Sequence, residues 1–524
     1  MAGGSDSIFY RNLNSSDTTN KSLITPTTFP DATVISLWGW TNPGYAPKEW
    51  NTQRNGSGTS YALGASLSVQ TNYYLIWEAD TTYTTTSTEL TSIADAIRAK
   101  GGTQASLTYP AGFISAINDI PTGGGGNPTA PDNDVVFIDY DGEIRYSYTA
   151  AEFAALTALP ANPTHSGLIA QGWNWTLADA KTYVAAYGAL VIGQQYITQS
   201  GATEIDIYLI SGLALSPILS CAVNGTVLIN WGDGFTSAVT GTSLTTIKET
   251  THTYAAKGHY TISLEATSGT YALYGSSSKM LLHGTSAALS HRYASAVQEV
   301  RLGSNASVGV YAFALLKGLK AVSLPSGITS IGNSAFRECT TRTVIVPDTV
   351  TSIGSYAFNK IQGARYFSLS KSITSISSGY VTSGCTSLQK ICLPPQITAV
   401  PAYFMYGANS MNDNSTQPQL RVVIIPEGVT TIGNYAFYYS YCGATVELTI
   451  PSTVTSMGSS ALGVSFQGLE ALHFKPVNPP SVSGSGVFTS LPTTCKIYVP
   501  TGSLSAYTSA SNYPSSSTYT YVEE

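Results

Sequence analysis

At 524 residues the chain is too long for one hydrophobic core, so several domains are expected. Only 10% of its residues are charged, against roughly 25% in an ordinary soluble protein, and the formal net charge is -6. This composition lacks a concentrated basic face, which excludes nucleic acid as a partner, and no stretch approaches the roughly 18 apolar residues of a membrane span.

The opening Met1-Ala2-Gly3-Gly4-Ser5-Asp6-Ser7 has neither the basic nor the apolar region of a secretion signal. A polar, weakly ionic surface nevertheless suits extracellular β-rich modules. A particle assembled in the cytoplasm that later leaves, such as a phage virion, reconciles the two; a leader trimmed from the chain is the alternative. Residues 1–30 are read as an attachment segment for other virion proteins. In 31–80, Val34-Ile35-Ser36-Leu37-Trp38 and Tyr73-Tyr74-Leu75-Ile76-Trp77 are strand candidates. The order Pro43-Gly44-Tyr45, Lys48-Glu49-Trp50-Asn51-Thr52, Gly56-Ser57-Gly58, Tyr74-Leu75-Ile76-Trp77-Glu78 resembles the B-repeat of listerial internalins. That resemblance implies a β-grasp-like spacer.

In 88–121, Leu90, Ile93 and Ile97 make one helical face and Phe113, Ile114, Ile117 and Ile120 a second. The pattern Ile93-Ala94-Asp95-Ala96-Ile97-Arg98, Gly101-Gly102, Phe113-Ile114-Ser115-Ala116-Ile117 looks like a short helical unit of phage structural proteins. So small a core implies packing on a neighbour or a homo-oligomer. A Gly/Pro linker covers 122–133, with Gly123 to Gly126 at its centre. An α+β spacer is expected over 134–211: a strand at Val135 to Tyr140, helices at Ala151 to Leu159 and Leu177 to Tyr187, a turn at Gly172-Trp173-Asn174-Trp175, and a strand from Ile205 to Ile210. Within 212–290, Trp231-Gly232-Asp233-Gly234, Thr251-His252-Thr253-Tyr254 and Gly258-His259-Tyr260 resemble the polycystic-kidney-disease (PKD) domain. The resemblance implies an immunoglobulin-like β-sandwich acting as a rigid spacer.

Residues 291–500 repeat one pattern: Leu324-Pro325, Ile328-Thr329-Ser330-Ile331-Gly332, Ala335-Phe336; Val346-Pro347, Val350-Thr351-Ser352-Ile353-Gly354, Ala357-Phe358; Ile425-Pro426, Val429-Thr430-Thr431-Ile432-Gly433, Ala436-Phe437. From Pro325 to Pro347, Ser370, Pro394, Pro426 and Pro451 the steps are 22, 23, 24, 32 and 25 residues. Such a period means stacked units, none of which buries its apolar face alone. The motif resembles the leucine-rich repeats of the BspA type, found in bacterial adhesins and gut-phage proteins. The fold class is therefore mainly β and multidomain, with β-grasp-like and sandwich modules, a short helical segment, a C-terminal solenoid and a cap over 501–524.

In the solenoid, Ser323, Ile345, Ser368, Cys392, Ile424 and Thr449, flanked by Ala321, Thr343, Tyr366, Lys390, Val422 and Glu447, should line one open strand face. The candidate binding residues on it are Ser323, Ile345, Tyr366, Ser368, Lys390, Ile424, Glu447 and Thr449. The long step carries an insertion whose Tyr406, Asn409, Met411, Asn412, Asp413 and Asn414 form a candidate binding loop. The composition holds 34 Tyr against 15 Phe, an excess that suits either recognition surfaces, including sugar stacking, or solvent faces of strands.

No His-Glu-x-x-His, Gly-x-Ser-x-Gly or phosphate-loop pattern is present. Asp139-Tyr140-Asp141-Gly142-Glu143 hints at a calcium loop but lacks the later ligands. Cys339 and Cys385 read as buried thiols of a solenoid corner, so no catalytic residue, metal or cofactor is expected. These features point to a virion fibre that adheres to a host surface protein or glycan through its repeats, with a bacterial surface adhesin or a purely structural subunit as the alternatives.

Overall fold

A computed structural model describes residues 6–12, 17–24, 26–40, 45–67, 71–79, 134–210, 215–407, 420–438, 445, 447–463, 466, 468–484, 486–489 and 491–524. The chain divides into two compact units, Met1–Ile120 and Pro121–Glu524. The two-helix segment of 88–121 and the linker of 122–133 lie outside the described residues.

In the first unit, β1 (Asp6–Tyr10), β2 (Asn20–Ile24), β3 (Tyr45–Asn51), β4 (Ser60–Ala62) and β5 (Asn72–Ala79) form one sheet in the order β2-β1-β5-β3-β4. Only the β1–β5 pair is parallel. Residues 1–30 are thus not a separate attachment segment, because both of their strands belong to this sheet. The expected strand at Val34 to Trp38 is instead α1 (Ala32–Leu37). Asp31 caps it by accepting from the Val34 N–H at 2.9 Å, and that local bond, with burial of Ile35 among Phe9, Phe29 and Trp50, outweighs the β propensity of Val and Ile.

The second unit begins with β6 (Val135–Ile138), β7 (Ile144–Tyr148), α2 (Ala150–Ala155), β8 (Leu168–Trp173), α3 (Leu177–Tyr187) and β9 (Leu190–Thr198). The sheet order is β7-β6-β9-β8, and β6 and β9 run parallel. Thr149 and Glu152 form a capping box on α2. That helix ends at Ala155, before the expected Leu159, since Leu156 turns extended ahead of Pro160. Of the expected turn at Gly172 to Trp175, Gly172 and Trp173 still belong to β8, whose register shifts between Ala170 and Gly172, and the chain bends at Asn174 and Trp175.

Next come β10 (Thr203–Leu209), β11 (Ile218–Asn230), β12 (Thr236–Thr251), β13 (Gly258–Leu273), β14 (Leu282–His283), α4 (Ala287–Ala296), β15 (Val297–Arg301) and β16 (Ala306–Val308). Trp231 anchors this region: His252 stacks on it at 4.8 Å and bonds Asp233 at 2.7 Å, while the Tyr254 hydroxyl donates to the Trp231 carbonyl at 2.9 Å. The region is not a free-standing sandwich spacer. Strand β15 pairs with β10 on one side and, in parallel, with Ala321–Ser323 on the other. Strand β13 pairs with β16, which continues to Ser330–Ile331. Both strand rows of the solenoid therefore grow out of this sheet, whose pairing closes the edges of the first turn. The expected boundary at residue 291 falls inside α4.

From there the chain winds as a solenoid. Thr343–Ile345, Tyr366–Ser368, Lys390–Cys392 and Val422–Ile424 form one parallel sheet, and Glu447–Ile450, Ala471–Phe474, Lys496–Val499 and Thr520–Glu523 the next. The Thr-x-Ile segments pair separately, as Ser330–Ile331 with Ser352–Ile353 and Thr431–Ile432 with Ser456–Met457. Val350, Ile353, Ala357 and Phe358 and their counterparts fill one continuous core that reaches from Ile205 to Tyr507. Threonines fasten one turn to the last: Thr430 donates to the Thr398 carbonyl at 3.1 Å and Thr455 to that of Thr430 at 3.2 Å.

Where a glycine follows the Thr-x-Ile segment it has a steric reason. A Cβ on Gly354 would lie 2.6 Å from the Asn333 nitrogen, and one on Gly433 2.5 Å from that of Ala402. Cys339 and Cys385 are buried; the Cys385 thiol donates to the Phe358 carbonyl at 3.0 Å, and burial pushes both thiols up to about 12. The substitution Gly354→Ala is expected to lower stability by about 1–3 kcal/mol by forcing adjacent turns apart. Calorimetric unfolding of the full chain checks this, and an unshifted transition would contradict the close approach.

Candidate functional site

The strand row expected to be open is covered over most of its length by the chain's own 134–198 region. Strand alternation explains how one sheet meets two layers. Val135, Phe137 and Ile192 pack under α2 and α3, whereas Val136, Ile138 and Val191 face the repeats beside Ala321 and Ile345. Strand β9 crosses the segments 321–323, 343–345, 366–368 and 390–392.

The contact is tight and hydrogen-bonded. The Ser323 hydroxyl donates to the Tyr196 carbonyl at 3.2 Å, and that of Ser368 to the Val191 carbonyl at 3.0 Å. The Lys390 ammonium donates to the Asp134 carbonyl at 2.9 Å. Asn174 donates to the Val346 carbonyl and the Ser368 hydroxyl, both at 2.9 Å, and accepts from the Gly193 N–H at 2.8 Å. Ile345 lies so close that a Cβ on Gly193 would stand 2.5 Å from it. Tyr366 packs at the margin of the same cluster and Ile424 against that of Trp175 and Cys392. Ser323, Ile345, Tyr366, Ser368, Lys390 and Ile424 therefore form an intramolecular interface, and the 134–211 region is a cover, not a spacer. The repeat pattern marks the row but carries no information on which other segment lies on it.

Glu447 and Thr449 remain exposed, beyond the end of the cover. There a cleft of about 330 Å³ opens between α3 and the strands, lined by Tyr187, Ile424, Glu427, Glu447, Thr449 and Lys475. Lys475 and His473 both hold the Glu524 carboxylate, at 2.5 and 3.0 Å, and His473 stacks on Tyr498 at 4.4 Å. Burial raises the Glu524 pKa, but these two partners outweigh it and hold the carboxyl below the usual range.

A second surface lies on the turn that carries the Ala-Phe pair. The residue in the slot before this pair, where Val381 and Phe404 replace Ala after Tyr380 and Tyr403, is left-handed in successive turns: Tyr311 and Ser334, then the four consecutive tyrosines Tyr356, Tyr380, Tyr403 and Tyr435, then Ser460, with φ of 48° to 60°. The four tyrosines stack in a column, at 5.2 Å from Tyr356 to Tyr380, 5.0 Å to Tyr403 and 5.3 Å to Tyr435, with planes within 22° of parallel. Tyr406 of the candidate loop stands edge-on to Tyr380, Tyr403 and Tyr435 and stacks on Tyr438 at 5.6 Å. Asn409, Met411, Asn412, Asp413 and Asn414 lie outside the described residues. The signal for the column in the sequence is the Tyr that precedes Ala-Phe at 311, 356 and 435.

Residues 293–412 and 415–510 match the BspA type Leucine rich repeat region, in six copies. The C-terminal region consists of BspA-type leucine-rich repeats. Among solved structures, the chain is similar to the pneumococcal vaccine antigen PcpA at 15% identity, covering 43% of this chain and 68% of that one, with a TM-score of 0.25. It is also similar to a leucine-rich repeat protein of Eubacterium ventriosum, at 22% identity over 41% and 69% with a TM-score of 0.25. A third is a leucine rich cell surface protein of Faecalibacterium prausnitzii, at 20% identity over 35% and 62% with a TM-score of 0.21. No curated protein matches the chain.

Where the cover meets the BspA-type repeats, Asp139, Asp141 and His165 bring ligand-type atoms within 4.8 Å of one another. The Arg145 guanidinium already occupies this group, with Nε 2.8 Å from Asp139 and Nη2 2.6 Å from Asp141. A cation entering there would have to displace it, so the cluster reads as an ion-paired strand turn. The decisive polar contact of the cover is Asn174. Replacing it by alanine strands the buried Gly193 N–H and the Val346 carbonyl, so Asn174→Ala is expected to cost about 1–3 kcal/mol. Denaturant unfolding of the full chain measures this; an unchanged midpoint would mean that the cover is not held there.

Proposed function

We propose that the chain is a non-enzymatic adhesive surface protein whose BspA-type repeats contact a host or neighbouring cell through the faces the cover leaves exposed. The match of 293–412 and 415–510 to the BspA type repeat region carries this reading, because repeats of this type are typically surface-associated. The exposed faces are weakly charged, rich in threonine and tyrosine, and unlike the focused ionic clefts of most catalysts. The thiols of Cys339 and Cys385 serve the core of the repeats: both are buried and pushed up, far from the thiolate form.

A bacterial cell surface is the placement favoured by the repeat type. A phage virion is the second placement; its support is the resemblance of residues 93–117 to phage helical units, and the adhesive end would be the same. Antibodies against the full chain, applied to the producing culture in immunoelectron microscopy, are expected to label intact cell envelopes, and beads coated with the full chain are expected to retain cells. Labelling confined to phage particles moves the protein to the virion. Beads that retain no cells overturn adhesion in either placement.

A further inference from the structure

Resting on that adhesive reading and giving it a ligand class, we propose that the tyrosine column of Tyr356, Tyr380, Tyr403 and Tyr435, with Tyr406 beside it, binds an uncharged, extended polysaccharide laid along the solenoid axis.

The first observation concerns hydroxyls. Tyrosines of the terminal turns are tied down: Tyr507 donates to the Pro476 carbonyl at 2.6 Å, Tyr513 to Pro480 at 2.8 Å, Tyr519 to Leu491 at 3.0 Å and Tyr521 to Pro514 at 2.8 Å. In the column, the phenol hydroxyls of Tyr356, Tyr380, Tyr403, Tyr435 and Tyr406 have no hydrogen-bond partner among the described residues. Each of them can both donate and accept a hydrogen bond.

The second observation is that the fold does not need the rings. Ser334 and Ser460 occupy the same left-handed slot with φ of 55° and 51°. Other large residues of these turns, Leu315, Glu338 and Lys360, are also left-handed with φ of 56° to 64°, so the conformation belongs to the turn; what sets this slot apart is an aromatic ring in four consecutive turns.

Geometry and charge then select the ligand. Within the column each ring covers the face of its neighbour and Tyr406 stands edge-on to three of them, so a ligand meets the remaining ring edges and the hydroxyls, which suit the oxygens of a sugar. The column ends at Tyr356, whose neighbouring slot holds Ser334; its ring is 38% exposed and offers a face for the C–H surface of a pyranose. One ring per turn at 5.0 to 5.3 Å is close to the advance of one unit in an extended β-linked pyranose chain, so successive sugars meet equivalent hydroxyls. The residues flanking the slots, Ser355, Gly379, Ala402 and Asn434, carry no charge, which disfavours a polyanionic glycan.

The test uses the full chain in affinity electrophoresis and titration calorimetry with soluble xylan, mannan and mixed-linkage β-glucan, and with polygalacturonate as the charged comparator. Binding to at least one neutral polymer is expected, with a hexasaccharide of that polymer bound about tenfold more tightly than its disaccharide. The variant Tyr380→Ser, Tyr403→Ser, Tyr435→Ser, which copies the chain's own Ser334 and Ser460, should bind about tenfold more weakly with an unchanged unfolding midpoint. The corresponding Tyr→Phe variant keeps the rings and packing and should lose about threefold. Absence of binding to every neutral polymer, preference for polygalacturonate, or wild-type affinity in both variants overturns the proposal. Beads that retain cells equally with wild type and the serine variant, when the two also bind the polymers equally, sink the column while leaving adhesion intact. Polymer binding that depends on the column, on beads that retain no cells, upholds the site and sinks the adhesive reading.

Discussion

Adjacent turns of the solenoid touch backbone to backbone at Gly332, Gly354, Gly433 and Gly458, where any side chain would collide with the preceding turn. The close contact is made in these four turns, while Ser377, Pro401 and Ser483 fill the same slot in others, and all share the turn separation on which the other periodic features depend. The strand rows fall into parallel register, each threonine reaches the carbonyl one turn back, and the tyrosine rings arrive within stacking distance. A solenoid of this kind has a single repeated geometry, so whatever occupies one position in successive turns is converted into a line on the surface.

The same regularity creates a problem along the strand row, where Ile345, Cys392 and Ile424 would leave an apolar strip facing water. The 134–198 region resolves it. Its own sheet alternates, with one face under α2 and α3 and the other on the repeats, so both layers are buried by one set of strands. The polar residues of the interface are satisfied in pairs: Asn174 with Ser368 and Val346, Ser323 with Tyr196, and Lys390 with Asp134. Burying each Ile or Tyr contributes roughly 1.5–3 kcal/mol, while the hydrogen bonds fix the register in which the cover sits. Where the cover ends, the cleft of Glu427, Glu447 and Lys475 opens.

Legibility followed the range of the interaction. The Pro, Thr-x-Ile-Gly and Ala-Phe pattern is local and recurrent, so the repeats and their buried residues could be read directly. Helix α1 was misread because Asp31, one side chain outside the apolar run, decided its conformation. The covering of Ser323, Ile345, Ser368 and Lys390 depends on residues more than a hundred positions away, as in the pair Asn174 and Ser368, and no periodicity reports such a contact. Nor does it report that β13 and β15 would continue into the solenoid, because edge pairing is made by backbone groups that every residue carries. The tyrosine column was within reach: it obeys the same period as the core, but it sits in a slot where the core imposes nothing.

That indifference separates the column from the remaining tyrosines. Tyr507 fills the interior of the last turns and spends its hydroxyl on a carbonyl, so its identity is accounted for by packing. Tyr356, Tyr380, Tyr403 and Tyr435 stand where serine also serves the backbone, since Ser334 and Ser460 hold the same left-handed conformation. A fold that needed nothing from these positions would accept serine in every turn. The unbroken run of rings therefore marks a face of the described repeats whose composition the backbone does not dictate.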